Sequence, residues 1–256
     1  MSKHAQEYEK IFETASAHGL FPEAVLENNL SKVKLLHQNY HQTYIEKDVR
    51  DLKEVGNVLD FDQVWKLAQQ KNSELLSYTN ISRETGLAFN TVKKYISVLS
   101  ASYNIVLLAS FTHNIQRRMV KSPKIFSADM GFFNHSTGIY GYDLLTTSGF
   151  IGKTFESILI MEFFKQERSF LLGGNPYFFR TSAGSEIDLV VEKGPELFAY
   201  EFKYTRNVRN SDFDAMRSLM ASSKNRLTKG FLVTRVPHAE KFDKNLFAVP
   251  WWLFCA

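Results

Sequence analysis

Two carboxylates and a lysine occupy neighbouring apolar runs in the second half of the chain. Asp188 lies in the first run, and Glu201 and Lys203 lie two residues apart in the second. Because side chains alternate between the two faces of a β-strand, Glu201 and Lys203 share one face. A turn at Gly194 predicts that the two runs pair as a hairpin, which can bring Asp188 to the same face.

These charges need a physical explanation, because an isolated charge beside Val, Leu, Tyr and Phe side chains costs solvation free energy. Carboxylate oxygens are the ligands that Mg²⁺ and Mn²⁺ accept, and a lysine beside a bound metal suits a reacting phosphate. The pattern therefore predicts a divalent-metal site in which Asp188 and Glu201 supply oxygen ligands and Lys203 lies next to the phosphate.

Glu156 is a further acid close to apolar residues. It lies near the start of an apolar helix predicted over 155–164, where it is either a site residue or a first-turn acid that interacts with the helix dipole. The preceding segment 152–154 reads Gly-Lys-Thr, as at the end of a phosphate-binding loop. The glycine that such a loop requires is missing, since position 147 is threonine, so we predict no nucleotide-binding residues.

The most basic part of the chain is residues 80–124, which carry seven Lys or Arg against one Glu. A short helix, a turn at Gly86 and a second helix over 89–99 predict a helix-turn-helix. Apolar strands over 105–111 and 119–126 follow it and are joined by a polar turn. Together these elements predict a winged helix.

The winged helix predicts a DNA-binding surface, because a basic segment suits a polyanionic partner. The expected contacts are polar or basic side chains on the outer face of the second helix and on the wing. They are Asn90, Thr91, Lys93, Lys94, Arg117, Arg118 and Lys121, and Lys124 follows on the returning strand. A solvated basic face and a protein–protein module are the two alternatives.

Four segments are expected along the chain. Residues 1–72 form a helical region, 73–126 the winged helix, 127–150 a loop-rich linker and 151–256 a domain with the order helix, three strands, helix, strand. The predicted fold class is therefore α/β (α+β), with an N-terminal helical region, a winged helix-turn-helix and a C-terminal domain built on a mixed central sheet.

Composition sets limits on the type of protein. The chain has 256 residues and a 44% hydrophobic content, enough for one or two domains with apolar cores. Cys255 is its one cysteine, which excludes an internal disulfide and is typical of a reducing, cytoplasmic compartment. No apolar run approaches the ~20 residues of a membrane span, so we expect no membrane partner.

The order of the acids resembles that of the PD-(D/E)XK superfamily, whose members have a restriction-endonuclease-like fold. Glu156 is on a helix, Asp188 is on a strand, and Glu201, Phe202 and Lys203 are on the next strand. The resemblance implies that Asp188, Glu201 and the Phe202 backbone carbonyl hold Mg²⁺ or Mn²⁺, that Glu156 completes the site, and that Lys203 orients water or stabilises developing charge. The implied activity is metal-dependent hydrolysis of DNA phosphodiester bonds.

A second resemblance covers nearly the whole chain, and it is to the C-terminal half of a family of prokaryotic AAA-type ATPases. The matching segments, in order, are 19–23, 44–49, the helix-turn-helix, 123–131, 152–156, 186–188 and 201–203. In that family an ATPase domain precedes a winged helix and a nuclease-like domain of unknown function, so the helices of 1–72 would correspond to the ATPase lid and connecting helices.

This second resemblance has consequences for activity and partners. Walker A and Walker B motifs are missing from the chain, so we expect no ATPase activity from it. An ATPase domain or another protein is an implied partner beside DNA. Two functions are left open: a DNA nuclease, and a non-catalytic module that binds DNA or protein.

Overall fold

The computed structural model of the protein describes residues 3–49, 55–112, 122–181, 184–223 and 226–255. Among the helices in these ranges, none is both long enough and apolar enough to span a lipid bilayer.

Contacts divide the chain into two compact units, which we call the helical unit and the sheet unit. The helical unit comprises Lys10–Leu107 and Ile125–Ile158. The sheet unit comprises Met1–Glu9, Leu108–Lys124 and Leu159–Ala256. These units do not coincide with the four expected segments: residues 108–124 of the expected winged helix belong to the sheet unit, and residues 151–158 of the expected C-terminal domain belong to the helical unit.

The secondary structure confirms a mixed α/β fold with an N-terminal helical region. The helices are α1 (Lys3–His18), α2 (Pro22–Leu26), α3 (Leu30–Thr43), α4 (Val58–Gln70), α5 (Tyr78–Thr85), α6 (Phe89–Ala101), α7 (Met130–Thr137), α8 (Tyr142–Thr147), α9 (Ile151–Phe170), α10 (Asp214–Ser222) and α11 (Trp251–Phe254). A π-helical turn (Tyr44–Val49) follows α3, and a 3₁₀ turn (Asn210–Phe213) precedes α10. The strands are β1 (Glu74–Leu75), β2 (Ile105–Leu108), β3 (Lys124–Ser127), β4 (Asn175–Arg180), β5 (Glu186–Lys193), β6 (Glu196–Phe202), β7 (Leu227–Thr234), β8 (Glu240–Asp243) and β9 (Leu246–Pro250).

Trp65 on α4 lies at the centre of the core of the helical unit. Its side chain is fully buried, and its Nε1–H donates a hydrogen bond to the side-chain oxygen of Asn104 at 2.9 Å. Phe61 of the same helix, Ile81 of α5 and Ile96 of α6 belong to one buried cluster with it. Burying such large apolar side chains stabilises the unit and fixes α5 and α6 against α4.

The helices α5 and α6 form the predicted helix-turn-helix. The Ser77 hydroxyl accepts a hydrogen bond from the Asn80 N–H at 3.2 Å and caps the start of α5. The helix ends at Gly86, whose φ of 72° is in the left-handed region. On α6, Val92 and Ile96 are fully buried. The outward-facing side of α6 is therefore held on a rigid platform.

A three-stranded sheet in the order β1-β3-β2 accompanies the two helices, as expected for a winged helix: β1 precedes α5, and β2 and β3 follow α6. The apolar strand expected over 105–111 is shorter, because β2 ends at Leu108. Beyond it, Ser110 pairs with Phe178 of β4, and the Phe111 N–H donates to the Phe178 carbonyl at 2.6 Å. The predicted wing tip lies outside the described residues.

The sheet unit contains a six-stranded sheet in the order β4-β5-β6-β7-β9-β8. The pairs β4–β5, β5–β6 and β8–β9 are antiparallel, and the pairs β6–β7 and β7–β9 are parallel. This confirms the mixed central sheet, and it adds β8, which no sequence signal indicates. Met216 and Leu219 of α10 pack with Ala199 and Leu232 of the sheet in one buried cluster.

The expected linker over 127–150 differs in the structure, because it contains α7 and α8 rather than a run of loops. Phe132 and Phe133 of α7 are buried, as is Leu145 of α8. The glycines in this segment suggest loops, but these apolar side chains hold short helices on the core of the helical unit. Burial of apolar side chains therefore favours helices here more strongly than the local glycines favour loops.

The strand β9 ends at a proline. It leaves the sheet at Pro250, and the chain continues as α11. Proline has no N–H to donate to a strand ladder, which suits the last position of β9.

The left-handed turn of the helix-turn-helix supports a first prediction. At Gly86 there is open space where a Cβ atom would lie, so Gly86→Ala costs only conformational strain. We expect a loss of about 1 kcal/mol in the free energy of unfolding, measured by urea denaturation.

The matched control is Gly56→Ala, where space is equally open and φ lies outside the left-handed region. It should leave stability unchanged or slightly raised. Equal losses in the two variants would contradict the assigned role of the Gly86 backbone.

Candidate functional site

A β-bulge lies beside Asp188 in β5. Tyr177 and Phe179 of β4 are two residues apart. Their partners on β5, Val190 and Ile187, are three residues apart, so β5 carries one extra residue at this point. Ile187 and Val190 consequently belong to the same core cluster. Strict alternation of side chains is therefore broken between Ile187 and Val190, the stretch that contains Asp188.

Both oxygens of the Asp188 carboxylate accept hydrogen bonds inside the sheet unit. The Phe202 backbone N–H donates to Oδ2 at 2.9 Å, and the Lys124 ammonium group donates to Oδ1 at 3.3 Å. Asp188 is only 8% exposed. Phe202 thus contacts this carboxylate through its backbone N–H.

Lys124 is the residue at this site that the sequence did not reveal. It opens β3, and its side chain is 5% exposed. Its Nζ also donates to Glu186 Oε1 at 2.5 Å, and the Arg180 Nε lies 3.7 Å from the other Glu186 oxygen. Counted with the basic wing, Lys124 looked like a DNA-facing residue. It is instead buried beside two carboxylates. These supply the opposite charge that a buried lysine requires.

Glu201 and Lys203 lie on the neighbouring strand and just beyond it. Leu189 pairs with Tyr200, so Asp188 and Glu201 are the next residues along the two antiparallel strands. Glu201 is half-buried. The hairpin therefore places the two predicted acids on adjacent strands, as expected.

The Lys203 ammonium group donates to Asp212 Oδ1 at 2.7 Å. Burial raises the pKa of the Asp212 carboxyl, but the hydrogen bonds from Lys203 and from the Arg209 N–H outweigh burial, so the net pKa is lowered. Asp212 is thus an ionised partner for Lys203. Sequence patterns did not indicate this pair, because Asp212 lies in a separate turn.

Glu156 belongs to the helical unit, whereas Asp188, Glu201 and Lys203 belong to the sheet unit. Its buried carboxylate accepts a hydrogen bond from the Ser73 hydroxyl. Ser73 has a φ of 64°, in the left-handed region that residues other than glycine seldom adopt. Next to it, Ser157 donates to the Asn72 side-chain oxygen at 2.9 Å. Glu156 therefore helps α9 hold the strained turn before β1.

The sheet-unit residues as arranged do not fit the expected Mg²⁺ or Mn²⁺. Each Asp188 oxygen already accepts a hydrogen bond, one of them from a cation, and the Lys203 ammonium group is bound to Asp212. Within the described ranges, no three His, Cys, Asp or Glu side chains are grouped so that they could hold a metal ion. A divalent cation needs several unshared oxygen ligands around it.

The predicted DNA-binding face of α6 is exposed. Asn90, Lys93, Lys94 and Ser97 are solvent-accessible, and Thr91 is half-buried. The same exposed residues line an open groove of 670 Å³ along the helix. Between its first and last residues α6 contains no Asp or Glu. The remaining predicted contacts, Arg117, Arg118 and Lys121, lie outside the described residues.

Comparison with known protein families locates the chain among proteins of unknown function. Residues 9–143 match the family model described as "Domain of unknown function (DUF8612)". The chain belongs to this family. Residues 151–254 match a second model, described as "Domain of unknown function (DUF4143)". Lys124 falls in the DUF8612 region, whereas its partners Glu186 and Asp188 fall in the DUF4143 region.

Two curated relatives are uncharacterized proteins of Mycobacterium bovis and Mycobacterium tuberculosis. Each is 26% identical to this chain over 167 residues, which is 65% of the chain. The match spans only 37% of the length of each relative. These relatives carry no described activity that could be transferred to the DUF8612 chain.

A histidine cluster lies within the DUF8612 region. His41 Nε2 is 3.0 Å from Asp62 Oδ1, and the His41 and His135 ring centroids are 5.1 Å apart. Burial lowers the pKa of His135 to about 4, and the nearby His41, His37 and Lys66 add to the lowering while Asp62 opposes it. No sequence motif signals this cluster, because its members come from α3, α4 and α7.

This cluster supports a prediction on pH dependence. Folding favours neutral His135, so the unfolded chain takes up the proton first as pH falls below its ordinary pKa of 6.5. Stability is therefore complete above about pH 6.5 and falls towards pH 4. The parent protein should lose on the order of 1 kcal/mol of stability between pH 7 and pH 5 through His135, because partial solvent exposure weakens the effect. We expect His135→Gln to abolish this loss, measured by urea denaturation.

His238→Gln is the control, since the side chain of His238 is 73% exposed. It should keep the pH dependence of the parent protein. If His135→Gln also keeps that dependence unchanged, His135 is not the group responsible.

Proposed function

We propose that this chain is a DNA-binding module that contacts duplex DNA through the outer face of α6. The observation that carries the proposal is the exposed row of Asn90, Lys93, Lys94 and Ser97 along an open groove. Basic and amide side chains on the second helix of a helix-turn-helix suit phosphates and base edges in a major groove.

The buried and the exposed face of α6 have different roles in this proposal. Val92, Ile96 and Leu99 are fully buried and prevent the helix from rotating or sliding. Asn90 lies in its first turn, where recognition helices commonly approach base edges, and Lys93 and Lys94 follow at positions suited to phosphate contacts. A rigid platform lowers the entropy cost of ordering the contact residues when DNA binds.

For the sheet unit we propose the role of a scaffold with a nuclease-like architecture. The resemblance to the restriction-endonuclease-like fold supports the nuclease-like architecture. The contact of Lys124 with Asp188 favours a structural over a hydrolytic role. The motif order shared with the C-terminal half of AAA-type ATPases supports an ATPase domain as the protein partner of this module.

The α6 surface gives a direct test of DNA binding. We expect Lys93→Gln combined with Lys94→Gln to weaken binding to duplex DNA and to reduce the slope of log K against log salt by about 2, as two phosphate contacts are lost. Fluorescence anisotropy with a labelled duplex between low and moderate salt measures both quantities.

The matched control is Lys241→Gln combined with Lys244→Gln, which removes the same charge from exposed positions in the sheet unit. It should leave the affinity and the salt slope near their parent values. Equal weakening by both pairs, or parent binding that does not respond to salt, would contradict recognition through α6.

Metal-dependent DNA hydrolysis is the second candidate, because Asp188 and Glu201 do lie on adjacent paired strands. Incubation with Mn²⁺ or Mg²⁺ and plasmid, linear and branched DNA tests it. From the scaffold role we expect all three DNA forms to stay intact. Cleavage that disappears in Asp188→Ala would establish a nuclease and replace the scaffold role.

A further inference from the structure

Among the residues that the structure describes, Lys124 is the most deeply buried Lys, Arg, Asp or Glu that the DNA-binding proposal leaves unused. We propose that its ammonium group is a tethered cation, which takes the place between Asp188 and Glu186 that a divalent metal ion would need. The sheet unit would then be assembled without metal, although it carries the acid pattern of a metal-dependent nuclease.

The geometry of the contacts supports this assignment. One nitrogen atom, Lys124 Nζ, is within hydrogen-bond distance of both carboxylates, at 2.5 Å from Glu186 Oε1 and 3.3 Å from Asp188 Oδ1. The Phe202 N–H occupies the remaining Asp188 oxygen at 2.9 Å. Oxygens from two acids thus converge on a single cation, which is an arrangement that a small divalent ion bound by carboxylates and water also requires.

Burial makes the cation hard to replace. The Lys124 side chain is 5% exposed, so its charge has lost nearly all contact with water. Only paired charge and hydrogen bonds offset that loss. A metal ion that approached the same oxygens would meet an ammonium group of like charge, and Lys124 would have to leave its partners to admit it.

The charges of the contacts between described residues agree with this assignment. Glu186 and Asp188 supply two negative charges, and Lys124 together with Arg180, 3.7 Å from Glu186, supplies two positive charges. Removing Lys124 would leave two carboxylates close together with a deficit of positive charge. Such a pair is a better metal ligand set than the one in the parent protein.

Isothermal titration with Mn²⁺ in the absence of DNA tests the assignment. We expect no saturable binding by the parent protein, and a gain of at least tenfold in Mn²⁺ affinity in Lys124→Gln. The gain should disappear in Lys124→Gln combined with Asp188→Asn. Lys124→Arg keeps the charge, so it should gain nothing.

Thermal unfolding with and without Mn²⁺ is the second measurement, because Lys124→Gln removes one partner of a buried ion pair and so lowers stability. Mn²⁺ should raise the melting temperature of Lys124→Gln, or restore its fold, without affecting the parent protein. Saturable Mn²⁺ binding by the parent that Asp188→Asn abolishes overturns the proposal. So does a Lys124→Gln variant that neither gains Mn²⁺ binding nor regains its fold with Mn²⁺. Neither result bears on DNA binding by α6.

Discussion

Asp188 and Lys124 are each buried in the sheet unit, and neither charge is stable there without a partner. Asp188 is 8% exposed and Lys124 is 4% exposed. Removing one member of a buried ion pair leaves an uncompensated charge, which costs far more than the pair contributes. The Phe202 N–H supports this pair, since it donates a hydrogen bond to the Asp188 oxygen that does not contact Lys124. The local structure of the predicted site is therefore organised around charge neutralisation.

Burial explains why similar lysines in one basic segment have different roles. Lys93 and Lys94 stand on the exposed face of α6, where solvent screens their charge and leaves them available to a polyanion. Lys124 comes from the same basic segment, but it begins β3, where it is buried and donates hydrogen bonds to Glu186 and Asp188. The net charge of the segment thus overstates its exposed charge, since Lys124 is buried.

Sequence patterns predicted the features that depend on local periodicity. The helical repeat of Val92, Ile96 and Leu99 specified the inner face of α6, and Gly86 specified the turn before it. The alternation around Gly194 specified the β5–β6 hairpin. The remaining features depend on contacts between distant parts of the chain: the pairing of Lys124 with Asp188 spans 64 positions. A bulge adds a single residue without any compositional signal, so strict alternation could not predict the irregularity between Ile187 and Val190.

The acid and lysine pattern has a structural interpretation for three of its four members. Glu156 holds a strained turn through Ser73, Asp188 is paired with Lys124, and Lys203 is paired with Asp212. A catalytic metal site needs carboxylates that keep oxygen ligands available, whereas a stable scaffold needs every buried carboxylate to be neutralised. These requirements oppose each other at the same atoms. A chain can therefore retain the order of acids and lysine of a nuclease while one lysine from a separate strand turns that pattern into part of a core. The choice between these two roles depends on which cation the Asp188 carboxylate binds. That cation is set by the fold around Lys124 rather than by the order of the acids and the lysine in the sequence.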